Sequence, residues 1–203
     1  IDITHMTMGA GGVNVPKRTV TKIGGGYCTN PKTYHSFDDE KPPTEEYFKE
    51  LERVSKHRVI WGGNYFNLGA TPCIIVWDKG RRGMAFADCE LAWTDFKSSA
   101  RIFEYKWNGM LQEDMKNKEY RIHPTQKPIR LYEWIINNYA KPDDVILDTH
   151  VGSASSLIAC HNTHHKFVGF EIDETYYKMA KERLDAEMAQ MTLFDLGYNP
   201  YQE

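Results

Sequence analysis

Two carboxylates late in the chain, Asp148 and Glu171, stand where they could do chemistry. Each closes a short apolar run, Val145-Ile146-Leu147 before the first and Lys166 to Phe170 before the second. Such runs read as strands buried on both faces. Between them lie a turn with Gly152, the helix-capping type Ser153, and a helical stretch from Ser155 to Cys160. Strand, glycine turn, helix and strand, with an acid about twenty residues on, is the pattern of a nucleotide-binding βαβ unit. Its ligand lies across the carboxyl ends of the strands, so both acids face it.

Asp148 decides what kind of nucleotide fits. A dinucleotide would bring a pyrophosphate to the first turn, where amides and a helix N-terminus favour anions. A carboxylate beside that anion in a partly dry cleft costs several kcal/mol unless paired, on the order of 3 or more. S-adenosylmethionine (SAM) carries no phosphate but an ammonium and a sulfonium. Asp148 suits that cation, with Thr149, His150, Gly152 and Ser153 forming the loop around it, and Glu171 can accept both ribose hydroxyls.

Upstream, His123-Pro124-Thr125-Gln126-Lys127-Pro128 precedes a helix whose apolar face runs through Ile129, Leu131, Tyr132, Trp134, Ile135, Ile136 and Tyr139. Pro128 suits a first helical turn. Lys127 therefore sits beside a helix N-terminus, an anion-favouring place from which it could reach the methionine carboxylate. Thr125 falls in the same turn.

The other elements must position these groups. Pro42-Pro43-Thr44-Glu45-Glu46 starts a helix running to about Ser55. Arg58 to Trp61 is a strand ending in Gly62-Gly63, and Cys73 to Trp77 is the next, closed by Asp78-Lys79-Gly80. From Arg81 to Arg121 aromatics alternate with Arg81, Arg82, Lys97, Arg101 and Lys106, as phosphate contacts with base stacking would require; a hairpin with a solvated charged face reads equally well. Ile1 to Glu40, glycine-rich and without apolar periodicity, reads as a long loop over a cleft or a loose end. A last helix runs from about Asp173 to Met188.

Composition sets the bounds. At 203 residues the chain is one domain with a small insertion, and a net charge of −3 leaves nucleic-acid binding to a local basic patch. Cys28, Cys73, Cys89 and Cys160 have no paired spacing, which points to a reducing, cytoplasmic setting. Cys160, His161, His164 and His165 lack a second ligand pair, so no metal is expected. No run approaches membrane-span length and no signal peptide is visible. The start at Ile1 rather than Met suggests residues upstream.

Together these motifs resemble those of the beta-class amino DNA methyltransferases, phage and bacterial enzymes that methylate adenine N6 or cytosine N4. His123 to Pro128 is similar to their motif before the SAM half, Asp148 to Ser155 to their SAM loop, Phe170-Glu171 to their ribose-binding acid, and Arg58 to Phe66 to the strand and turn under their catalytic pocket. The resemblance covers most of the chain. It implies an α/β, Rossmann-like SAM-dependent methyltransferase fold, a mostly parallel sheet with helices on both faces. Residues 1–79 would be the catalytic half, 80–121 a recognition insertion, and 122–203 the SAM half and tail.

The implied activity is methyl transfer to a flipped adenine in double-stranded DNA, in a restriction-modification or phage setting; a homodimer is compatible with it. Rivals are a non-catalytic SAM- or DNA-binding relative and a methyltransferase for RNA or a small molecule. Ala154 stands where the family often has glycine, and the family's Asp-Pro-Pro-Tyr tetrapeptide is absent. Family order puts that tetrapeptide at or before Ile1, and the printed chain is then expected to be inactive alone. Finally, Gln190-Met191-Thr192-Leu193-Phe194 resembles the pentapeptide by which bacterial proteins dock on the DNA sliding clamp; folding back of Leu193 and Phe194 as a last strand is the competing reading.

Overall fold

Ile3 to Thr7, five residues with three β-branched side chains, form strand β1. Helix α1, Glu45–Val54, follows; the Thr44 hydroxyl caps it by accepting the Tyr47 amide, and two glutamates fill its first turn. Then come β2 (His57–Trp61), a one-turn 3-10 helix at Gly63–Tyr65, β3 (Ile74–Asp78), β4 (Cys89–Thr94), β5 (Arg101–Glu104), β6 (Trp107–Asn108) and β7 (Leu111–Gln112). Pro128 leads into α2, Ile129–Tyr139. The chain continues through β8 (Val145–Asp148), α3 (Ser155–Asn162), β9 (Lys166–Gly169) and α4 (Glu174–Met188), the last capped by Asp173. This computed structural model describes residues 3–7, 34–35, 42–83, 87–108 and 111–190.

Seven strands form one sheet in the order β5-β3-β4-β2-β1-β8-β9. Every neighbouring pair is parallel except those made by β4, which runs against β2 and β3. The carboxyl ends of the other six strands therefore share one end of the sheet. The core lies between the sheet and α2 and α3, where Val59, Trp61, Ile75, Trp77 and Ile146 meet Leu131, Ile135, Ile136 and Ala159. On the opposite face Arg58 and Ile60 turn toward Phe48 of α1, so helices cover both faces, as an α/β Rossmann-like fold requires. Among the described residues no helix is long and apolar enough to cross a membrane.

Two differences from the sequence reading stand out. The glycine-rich stretch 1–40 contains β1, the strand between β2 and β8, with Thr7 opposite Ile60 and Met6 opposite Asp148. Its mixed side chains give no apolar run; ladders on both sides hold it. Within 80–121, β4 and β5 belong to the main sheet, and only β6 and β7 pair separately. Alternating side chains announce a strand but not its non-local partners.

Candidate active site

Asp148 ends β8 fully buried beneath the turn. One of its oxygens accepts the His150 amide at 2.9 Å and the other the Ser156 hydroxyl from the first turn of α3. Burial pushes its carboxyl up to about 7, against these two hydrogen bonds and the Lys127 charge. Gly152 takes a left-handed φ of 54°, which a side chain would strain, and it lies in ordinary contact range of the His123 ring. Ala154 also holds a left-handed φ, 61°, which costs a non-glycine residue about 1 kcal/mol and accounts for the family's preference for glycine.

Glu171 reaches back to the same turn. One oxygen accepts the Gly152 amide at 2.7 Å and the other the Asp173 amide at 3.0 Å. A carboxylate oxygen has two acceptor sites, so each keeps one for a ligand hydroxyl. Ile172 beside it is fully exposed, an apolar surface next to a polar anchor. Thr149 and His150 meet α1 through the Tyr47 hydroxyl, 2.7 Å from Thr149 Oγ1 and 3.4 Å from His150 Nδ1. Ser153 offers its carbonyl oxygen to Arg183 of α4 at 2.7 Å, and its hydroxyl lies 3.0 Å from that of Ser155. Thr125 is exposed, its hydroxyl 2.9 Å from His123 Nδ1.

Lys127 is buried, its ammonium 3.1 Å from Glu90 Oε2 and 5.4 Å from the centre of the Trp61 ring. Lys79 holds the other Glu90 oxygen and lies 4.8 Å over the Trp77 ring. Burial alone would raise the Glu90 carboxyl, but the two ammoniums outweigh it and bring it down to about 2.

The five basic residues divide between the two ends of the sheet. Arg81 and Arg82 follow β3 and Lys106 follows β5, so all three lie at the carboxyl end with Asp148; Arg82 pairs with Asp78, and Lys106 passes beside Gly80. Lys97 follows the reversed strand β4 and Arg101 opens β5, which places both at the far end. Cys160 is buried, and the ring nitrogens of His165 lie 2.9 Å and 3.1 Å from the carbonyl oxygens of Thr163 and Lys141. Among the described residues no three His, Cys, Asp or Glu side chains gather as a metal site.

A family model described as DNA methylase, spanning the N6 and N4 enzymes, matches residues 27–182. The chain belongs to the amino DNA methyltransferases. It is 42% identical over 71 residues to the type II methyltransferase M.HpaI of Haemophilus parainfluenzae, covering 35% of this chain and 23% of that protein. It is 37% identical over 81 residues to M2.DpnII of Streptococcus pneumoniae (40% and 30%) and 42% identical over 67 residues to the DNA adenine methyltransferase YhdJ of Escherichia coli (33% and 23%). The aligned stretches thus span less than a third of these relatives. The M1.HpyAVI–SAM complex shares the fold, with a TM-score of 0.53 at 20% identity over 90% of this chain and 88% of that one.

The amino DNA methyltransferase's turn also depends on residues that the sequence reading passed over. Tyr47, Ser156 and Arg183 carry no local signal, because each acts through a contact made only in the fold. His123 did carry one, as the first residue of its motif, and it stacks edge-on against Tyr176 with ring centres 4.3 Å apart.

Proposed function

We propose that the chain binds SAM across the ends of β8 and β9 and serves transfer of its methyl group to the exocyclic N6 of adenine in double-stranded DNA. The observation that carries the reading is the Asp148–Glu171 pair around the Gly152 turn, a buried acid beneath and a half-satisfied acid at the rim. Glu171 would take the ribose hydroxyls, Ile172 would cover one face of the adenine, and Asp148 would set a negative field favouring the ammonium. The group supplies an activated methyl on sulfonium; the chain supplies orientation and exclusion of water. Thr125, Thr149, His150, Gly152 and Ser153 would complete the pocket wall. The adenine assignment draws support from the name of the YhdJ relative.

The target base would be flipped toward the carboxyl end of the sheet, with Arg81, Arg82 and Lys106 on the phosphates. Lys97 and Arg101 lie at the wrong end to share that contact. The segment that follows Thr7 at this end reads Met8-Gly9-Ala10-Gly11 and lies outside the described residues. The absence of an Asp-Pro-Pro-Tyr tetrapeptide from the sequence favours a second reading, a SAM- and DNA-binding relative that transfers nothing by itself. Calorimetric titration with SAM, followed by transfer of labelled methyl to unmethylated duplex, RNA and free nucleosides, tests both. SAM binding with transfer to duplex supports the first; SAM binding without transfer supports the second; absence of SAM binding removes both.

The clamp-like pentapeptide begins at Gln190, just after α4, and Leu193 and Phe194 lie outside the described residues. We keep the sliding clamp as a proposed partner on the strength of the motif at Gln190, Leu193 and Phe194.

A further inference from the structure

A row of five residues crosses the carboxyl end of the sheet: Trp77 in β3, Lys79 just after it, Glu90 in β4, then Lys127 and Trp61; all but Glu90, whose side chain is 33% exposed, are buried. Each ammonium lies over an indole ring, and both share one carboxylate. Two ammoniums share this one carboxylate, so a further anion beside the buried Lys127 would be favoured. Among the described residues Glu90 is the acceptor Lys127 meets, although an ammonium has three donors to satisfy. Lys127 is 6% exposed, so water is a poor substitute. His123 of the same motif lies against the Gly152 turn, 3.6 Å from where a Cβ at Gly152 would stand, which brings the Lys127 end of the motif toward the cofactor turn.

We propose that Glu90 is a positioning residue for the cofactor: it holds the Lys127 ammonium on the Trp61 ring, with spare donors free for the methionine carboxylate of SAM. This rests on the SAM reading above. Glu90 touches no ligand itself. Lys79, fixed over Trp77, locks Glu90 from the other side and keeps the carboxylate from swinging out to solvent. The reversed direction of β4 is what brings Glu90, near the start of its strand, to the ligand end.

Decarboxylated SAM, which keeps the adenosine, sulfonium and amine but lacks the carboxylate, isolates the contact. The wild-type chain is expected to bind SAM about tenfold more tightly than decarboxylated SAM, as a charge-assisted contact implies. Glu90→Gln is expected to bring that ratio near one while leaving affinity for decarboxylated SAM unchanged, and Glu90→Asp to restore part of it. Lys127→Met should lose the ratio as well, and the Glu90→Gln, Lys127→Met double variant should lose no more than either single one. Because the double variant removes both members of the pair, it also tests the coupling should Glu90→Gln fold poorly. Equal loss for both ligands, an additive double variant, or a wild type that does not discriminate would each overturn the role of Glu90. A wild type that binds neither compound would instead remove the SAM reading.

Discussion

Arg183 of α4 meets Glu119 at 2.8 Å, and the same guanidinium holds the Ser153 carbonyl oxygen and, at 2.9 Å, the Ser155 hydroxyl. The other Glu119 oxygen accepts the Ile129 amide at the start of α2. One ion pair thus ties the last helix, the cofactor turn and the entry to α2. Both side chains are 14% exposed. Arg183→Met is expected to cost about 3 kcal/mol, because it strands a mostly buried carboxylate, and Arg183→Met with Glu119→Gln to recover much of that. Urea unfolding measures it. A double variant no more stable than the single one would show that the pair is not what holds the turn.

Asp148 is expected to make the stability pH-dependent. Its folded carboxyl, up at about 7, lies above the unfolded range near 4. The folded state binds this proton more tightly, so its contribution is full below about pH 4 and is lost as pH rises through 7. Asp148→Asn, a mimic of the protonated acid, is expected to raise the cofactor-free Tm clearly more at pH 8 than at pH 5. Its SAM affinity should fall, and wild-type affinity should strengthen from pH 6 to pH 8. Thermal scans and titrations at the three pH values decide it; a Tm gain equal at pH 5 and 8 would refute the linkage.

Glu171→Ala should weaken SAM binding by about 1.5–3 kcal/mol, the range of a hydrogen bond to a charged group. The Gly152 and Asp173 amides lose their acceptor too. Amide exchange at Gly152 should accordingly speed up. Unchanged SAM affinity would move the ribose elsewhere.

DNA affinity is expected to fall steeply with salt despite the net charge of −3. Neutralising Arg81 and Arg82 together should flatten the log–log slope by up to about 2, whereas neutralising Lys97 and Arg101 should leave it alone. The reverse pattern would place the duplex at the other end of the sheet.

Purified bacterial sliding clamp should retain this chain and release a Leu193→Ala, Phe194→Ala variant. Burying two such side chains contributes about 3–6 kcal/mol of gross apolar stabilisation. Equal retention of the two proteins, or none of either, eliminates the clamp.

The β8–α3–β9 unit was legible because the apolar run of buried β8 and the helical stretch after the glycine turn leave their own signals. Two details differ: β9 is an exposed edge strand rather than one buried on both faces, and Ser153 does not cap α3, whose N-cap is Ala154 with no side-chain hydrogen bond. Its observed limits differ from the expected ones by a residue or two. β1 was not legible: Ile3 to Thr7 has the composition of many loops, and its place follows from ladders to segments far along the chain. The site divides in the same way. Asp148 and Glu171 advertise themselves by ending strands, while Glu90 looks like one more charge on an alternating strand until the sheet brings Lys127 to it.

The central position of β1 bears on how the chain is made. Ile3 pairs with Val145, so one flank of β1 stays open while roughly 140 residues are synthesised, about 7 to 30 s at 5–20 residues per second. During that interval a naked strand flank is exposed on the ribosome, an invitation to pairing with a neighbouring nascent chain. Protection by a chaperone, or by early pairing with β2, would have to last until β8 emerges.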